Sequence, residues 1–196
     1  RLFDKYEKNL LGIISDINYK RAGFEDPEAG FRLLNYVRSK TDFLPFVLQS
    51  SDLKHQRVAN SLGVGFIYKY SKTMELELRN FMMEYFAFGD FVFYDPETHR
   101  ELMRAPDLKA LQKRIFQVPD ASLEYHIYRN HLSRWLFARA LFPLAEFFRD
   151  VRPGDFNELD DIRRFIFESI ASYRLNKARG IIAQFDRETF DEYISF

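Results

Sequence analysis

The chain has 196 residues, 46% hydrophobic and 30% charged, with 29 basic residues balancing 29 acidic ones. That is the profile of a folded protein of one large or two small domains, and zero net charge argues against a dedicated nucleic-acid binder. There is no cysteine, which excludes disulfides, thiolate metal sites and cysteine nucleophiles, and no apolar run approaches the roughly 20 residues that span a bilayer. The expected compartment is the cytoplasm, and neither nucleic acid nor membrane is an expected partner.

Residues 1–9 place Leu2, Phe3 and Tyr6 at helical spacing among charges. Leu10 to Asp16 is an apolar run that ends on an acid, the pattern of a strand buried on both faces of a parallel sheet. In open α/β sheets chemistry sits just beyond the carboxyl ends of such strands, which makes Asp16 the first candidate. Residues 18–30 read as a polar loop carrying Gly23, Pro27 and Gly30. Phe31 to Ser39 is an amphipathic helix with Leu33, Leu34 and Val37 inward. Leu44 to Gln49 is a second buried strand, followed by Ser50, Ser51 and Asp52. Ser51 or Asp52 is expected to cap a helix from Leu53 to about Ser61, with Gly63 as its stop. Val64 to Tyr68 is a third strand ending at Lys69, and Ser71 or Thr73 caps a helix from Met74 to about Phe86.

Strands and helices that alternate with short connections predict a parallel sheet with right-handed crossovers. Past residues 87–96 the pattern changes. Phe88 to Tyr94 reads as a short strand or an extended linker, and Asp95-Pro96-Glu97-Thr98 as a turn. Ala105-Pro106-Asp107 opens a helix of about ten residues, and Pro119 to Ser122 opens another that continues at helical period from Leu123 to Leu136. Pro143 is expected to kink or divide the apolar segment from Ala138 to Arg149. Leu159 to Lys177 is amphipathic, with Ile162, Phe165, Ile166, Ser169, Ile170 and Tyr173 on one face. Gly180 is read as its stop, Ile181 to Phe185 as a short strand and Asp186 to Tyr193 as a last helix. The expected fold class is α/β then mostly α, with a domain over residues 1–90 and a helical domain over 91–196. The chain starts inside a helical pattern and ends on the apolar Tyr193-Ile194-Ser195-Phe196. A piece of a longer protein is therefore expected.

Asp16, Ser50 and Lys69 fall at the carboxyl ends of three successive strands spaced about 4.8 Å apart, close enough to converge. An aspartate can accept a phosphoryl group, and a hydroxyl and an ammonium nearby could bind its oxygens. The runs Ile13-Ile14-Ser15-Asp16-Ile17-Asn18, Leu44-Pro45-Phe46-Val47-Leu48-Gln49-Ser50 and Gly65-Phe66-Ile67-Tyr68-Lys69 resemble a two-component response-regulator receiver domain. The resemblance implies a partial flavodoxin-like sheet. It implies Asp16 as phosphoacceptor, supported by Ser50 and Lys69, with Phe66 at the aromatic switch position. It also implies Mg2+ at Asp16, helped by the backbone carbonyl of Asn18, provided that acids upstream of this chain complete the site. Departures are Tyr19-Lys20 after the acid, a longer loop, and Tyr70 where Pro usually follows the lysine. Asp4 and Glu7 lie on the preceding helix and cannot replace the upstream acids.

Pro119 to His126, then Arg129 to Leu136 with Ala138 and Arg139, resemble a helical region of large bacterial proteins related to phosphoenolpyruvate synthase. In those proteins a receiver-like segment precedes this region and a pyruvate, phosphate dikinase-type domain follows it. The resemblance implies a parent enzyme that transfers phosphoryl groups among ATP, pyruvate and phosphoenolpyruvate. ATP would bind only in the parent's downstream domain. The phosphate-binding loops and catalytic histidine of that family have no match here.

On one continuous helix His126 and His131 would stand about 140° apart. Zinc helices use a spacing of four, so packing or capping is the expected role of this pair. Arg129, Arg134 and Arg139 recur at intervals of five and could form a loose basic strip, a site for phosphate or an acidic partner, with salt bridges to Glu124 or Glu146 as the plain expectation. The 22 Phe and 11 Tyr residues suit core packing first and docking surfaces second.

The function expected is a non-catalytic regulatory or interaction segment, a pseudo-receiver plus helical domain, of a phosphoenolpyruvate synthase-like phosphotransferase. The alternative is a working receiver phosphorylated on Asp16. Expected partners are other domains of the parent. Self-association through the exposed edge of the strand ending at Asp16 is also expected.

Overall fold

The computed structural model describes residues 2–178 apart from Ala22. The readings for Gly180, residues 181–185 and residues 186–193 lie outside the described residues. The chain divides into two compact units, Arg1–Phe88 and Gly89–Phe196.

In the first unit the element order is α1 (Leu2–Tyr6), β1 (Ile13–Asp16), β2 (Tyr19–Arg21), β3 (Phe24–Asp26), α2 (Ala29–Arg38), β4 (Phe46–Ser50), α3 (Lys54–Ser61), β5 (Gly65–Tyr68) and α4 (Met74–Tyr85). The three apolar runs form a parallel sheet in the order β1-β4-β5. Ile13 pairs with Phe46 and Asp16 with Gln49; Val47 pairs with Gly65 and Ser50 with Tyr68. The carboxyl ends of all three strands therefore lie along one edge.

Alternation along β4 splits its side chains between two layers. Phe46 and Leu48 join a core with Leu34 and Val37 of α2 and Ala59 of α3, and Phe66 packs on the same cluster. Val47 and Ile67, also buried, face the other layer. There Phe81 of α4 and Phe86 just past it lie over Gly65 and Gly12, where an added Cβ would strike the rings. Two glycines thus let α4 sit directly on the sheet. Gly63, at φ +64°, ends α3: its N–H reaches the Asn60 carbonyl, and the Val64 N–H reaches Ala59. Asp52 accepts the Lys54 N–H at 2.9 Å at the start of α3. At α4, Ser71 and Thr73 donate to the Glu77 carboxylate at 2.8 and 2.6 Å. These two bonds hold Glu77 below the usual carboxylate range.

The polar loop expected at 18–30 is instead largely an antiparallel hairpin of β2 and β3, with Gly23 at φ +88° in its turn. The hairpin is tied to α2 by Tyr19, whose hydroxyl donates to the Ala29 carbonyl at 3.2 Å, and by Arg32, which pairs with Asp26 at 3.3 Å.

The second unit runs β6 (Phe91–Tyr94), β7 (Glu101–Ala105), α5 (Leu108–Arg114), α6 (Asp120–Tyr128), α7 (His131–Phe137), α8 (Phe142–Arg149) and α9 (Leu159–Ala178). Of the two readings for Phe88 to Tyr94, a short strand or an extended linker, the strand is present as β6 and starts at Phe91. Its antiparallel partner β7 has no obvious alternation, because only Ala105 of its five residues is buried. The Asp95 side chain shapes the turn by accepting the Glu97 and Thr98 N–H groups at 3.0 and 2.8 Å. Asp107 caps α5 through the Ala110 N–H at 2.7 Å.

The helical run expected from Leu123 to Leu136 is broken into α6 and α7 at Asn130, which is left-handed at φ 58°. After glycine, asparagine is among the residues that adopt that conformation most readily. Pro143 lies in the first turn of α8, where a missing N–H costs nothing, so the division falls before it. Phe91, Phe93, Trp135, Leu136, Ile162 and Ile166 are among the buried residues of this unit. Arg163 of α9 is buried with them and donates to the Ile115 and Val118 carbonyls and to Asp120.

Candidate functional site

Asp16 ends β1, and Lys69 follows β5 directly. Their side chains form an ion pair across the end of β4, which lies between them. The backbone is fixed on both sides: the Ile17 N–H donates to the Gln49 carbonyl at 3.0 Å and the Lys69 N–H to the Ser50 carbonyl at 2.9 Å. The Gly30 N–H donates to the Ile17 carbonyl at 2.9 Å, so the start of α2 rests on the residue after Asp16. Both partners of the ion pair are about one-third exposed, at 34% for Asp16 and 36% for Lys69. Solvent screens a pair of that exposure, so its role is to place charge rather than to stabilise.

Ser50 reaches the same edge but its hydroxyl has other partners. It stands 2.8 Å from Nδ1 of His55 and accepts the Asp52 N–H at 3.0 Å. His55 in turn meets the edge of the Phe31 ring at 5.9 Å. Sequence reasoning missed His55. A serine at a strand end with a histidine five residues later, inside the next helix, was the available signal. Phe66 sits mid-strand against the α2–α3 core, and Asn18 is exposed in the turn between β1 and β2.

Magnesium takes about six oxygen ligands. The described residues offer the Asp16 carboxylate, already engaged by an ammonium, and the Asn18 carbonyl. No group of three or more His, Asp or Glu side chains placed to hold a metal occurs among them. The described residues do not by themselves fit a magnesium centre. Asp4 is taken up by a bond from the Tyr36 hydroxyl, which lowers its pKa.

In the second unit the helix break changes the histidine geometry. His126 and His131 do not point apart; their Nδ1 atoms are 2.9 Å from each other. The arginines form no solvent-facing strip. Arg129 lies over the Tyr125 ring at 4.1 Å and Arg139 over Trp135 at 3.9 Å, while Arg134 donates to the Arg129 carbonyl at 3.2 Å. Burial pushes Arg134 down to about 10. Glu146 pairs with Arg149. A groove of about 380 Å3 is lined by Lys109, Arg139, Tyr173, Arg174 and Lys177 among others, and Arg174 within it is tied to Gln112 at 2.7 Å.

No helix among the described residues is long and apolar enough to cross a membrane. No family model, curated protein or solved structure matches the chain.

Proposed function

We propose that the first unit is a receiver-type, partly flavodoxin-like domain that serves docking rather than phosphoryl transfer. With the helical unit it makes up a regulatory segment of a phosphoenolpyruvate synthase-like phosphotransferase. The observation that carries the docking reading is the Ser50 hydroxyl. A phosphoryl group on Asp16 would need its oxygens met by both Lys69 and Ser50, and the Ser50 hydroxyl is engaged by His55 and the Asp52 N–H. In the helical unit, the stretch from Pro119 to Arg139 that carries the second resemblance supplies Leu123, Ile127, Leu132, Trp135 and Leu136 to the core. Its pattern is thereby explained by packing and requires no chemistry of its own.

The second reading, a phosphoacceptor at Asp16, is favoured by the Asp16–Lys69 pair, since an ammonium beside the acid would neutralise charge on a transferred phosphoryl group. One experiment separates the two. The full-length protein is treated with acetyl phosphate and Mg2+, and its intact mass is measured. The docking reading expects no adduct. A labile phosphoryl adduct that disappears in Asp16→Asn would establish the second reading instead. Sedimentation of the same sample tests association through the β1 edge, where Ile14 is 40% exposed; a monomer removes that part of the proposal.

A further inference from the structure

We propose that His126 and His131 form an acid-sensitive latch that fastens the end of β6 to the α6–α7 break within the second unit.

The argument starts from bonds. The Tyr94 N–H donates to Nε2 of His126 at 3.0 Å. An acceptor nitrogen carries no proton, so the proton of a neutral His126 is on Nδ1. That Nδ1–H faces Nδ1 of His131 at 2.9 Å, which must be bare to accept it. The proton of a neutral His131 is then on Nε2. Of the four ring nitrogens, two carry protons and the other two are acceptors already in use. A further proton has nowhere to go without breaking either the bond to Tyr94 or the bond between the rings.

Among the described residues, the ring neighbours of the pair are aromatic. From β6, Phe91 and Phe93 meet the His126 ring at 5.2 and 5.5 Å, and the Tyr94 ring stacks on it at 6.2 Å. From α6, Tyr125 stands edge-on to both histidines, at 5.1 and 5.6 Å. Among the described residues, the charged side chains acting on the rings are Arg129, past the end of α6, and Arg134 of α7, and both are cationic. Burial, helped by Arg129, pushes His126 down to about 3; burial, with Arg134 next, holds His131 well below the usual range.

The sign follows. Above the unfolded value of about 6.5 the rings are neutral whether the latch is closed or open, so it is at full strength. As pH falls from there toward the folded values, only the opened form takes up protons. Opening becomes up to about tenfold easier per pH unit for each ring that does so.

The test uses the whole chain. Long-range 1H–15N correlation at neutral pH reads the ring tautomers, and hydrogen exchange reads the protection of the Tyr94 amide as a function of pH. The latch expects His126 as the Nδ1–H form and His131 as the Nε2–H form. It expects Tyr94 protection, corrected for intrinsic exchange, to fall up to about a hundredfold per pH unit when both rings protonate, while the amides of α9 stay protected. In His131→Gln the side-chain carbonyl still accepts the Nδ1–H but one titrating ring is gone, so the dependence should fall to no more than about tenfold per unit. Three outcomes each overturn the proposal: a proton on Nε2 of His126, a ring that titrates near 6.5 with Tyr94 still protected, or loss of protection in β6 and α9 together.

Discussion

The two units handle their polar side chains in opposite ways. In the first unit Asp16 and Lys69 stand about one-third exposed at the carboxyl edge of a parallel sheet, where strand ends are free, and Ser50 is buried at the same edge. In the second unit Arg163, Gln112 and His126 are buried and tie separate elements together. Arg163 joins α9 to the carbonyls after α5, and Gln112 donates to the Phe167 carbonyl at 3.0 Å. The carbonyls just past the end of a helix lack intrahelical donors, and at the end of α5 the buried Arg163 supplies them. The Asp16–Lys69 pair of the first unit is thus within reach of a partner, whereas the buried polar residues of the second are structural.

That contrast can be broken by substitution. Arg163→Met should have the largest effect. It leaves the Ile115 and Val118 carbonyls without their donor, while Asp120 and Asp160, 68% and 67% exposed, keep their hydration. A loss of about 3 kcal/mol is expected from buried groups left unpaired. Urea unfolding followed by Trp135, the chain's single tryptophan, reads this unit selectively. A change below about 1 kcal/mol would mean that Arg163 behaves like a surface charge, and the contrast would fail.

Gly30→Ala should cost less, about 1–2 kcal/mol, and should act only on the first unit. Helix propensity favours alanine by up to about 1 kcal/mol, but the new Cβ would meet the Asp16 carbonyl and lie 2.8 Å from the Ile17 Cα. Backbone on both sides cannot yield as a flexible side chain would, so the clash prevails. Exchange of the β1 and β4 amides should quicken while the Trp135 transition stays in place. An unchanged β1 would show that α2 can shift freely away from the sheet.

Smallest is Lys69→Met. Its pair with Asp16 is exposed enough that less than about 1 kcal/mol should be lost, and added salt should shrink even that. A larger loss in thermal unfolding of the first unit would assign the pair a structural role and blur the difference between the units.

Much of this was readable from pattern. The runs ending at Asp16, Ser50 and Tyr68 are apolar and bounded by turn residues, which marks all three as strands, but only β4 is central and buried on both faces; β1 and β5 are the edges, and Ile14 of β1 is 40% exposed. Gly63 and Asp107 are punctuation that acts within a few residues, and both act where expected. Less visible were the features made by distant partners. β7 has one buried residue and becomes a strand because β6 lies beside it. The β2–β3 hairpin carries no period and is pinned by Tyr19 and Arg32 to α2.

The sequence by itself determined the alternation of strands and helices in the first unit, the change of pattern near residue 90 and the edge on which Asp16 and Lys69 stand. Those follow from side-chain periodicity and capping, which act over one or two turns of chain. Only the tertiary structure decided where each polar side chain is directed. The Ser50 hydroxyl meets His55 rather than the Asp16–Lys69 pair, and a left-handed Asn130 turns two histidines that a continuous helix would separate into a hydrogen-bonded pair. Rotamer and helix-break choices of this kind depend on burial and on the partners that folding brings within about 3 Å, and local sequence does not encode those partners.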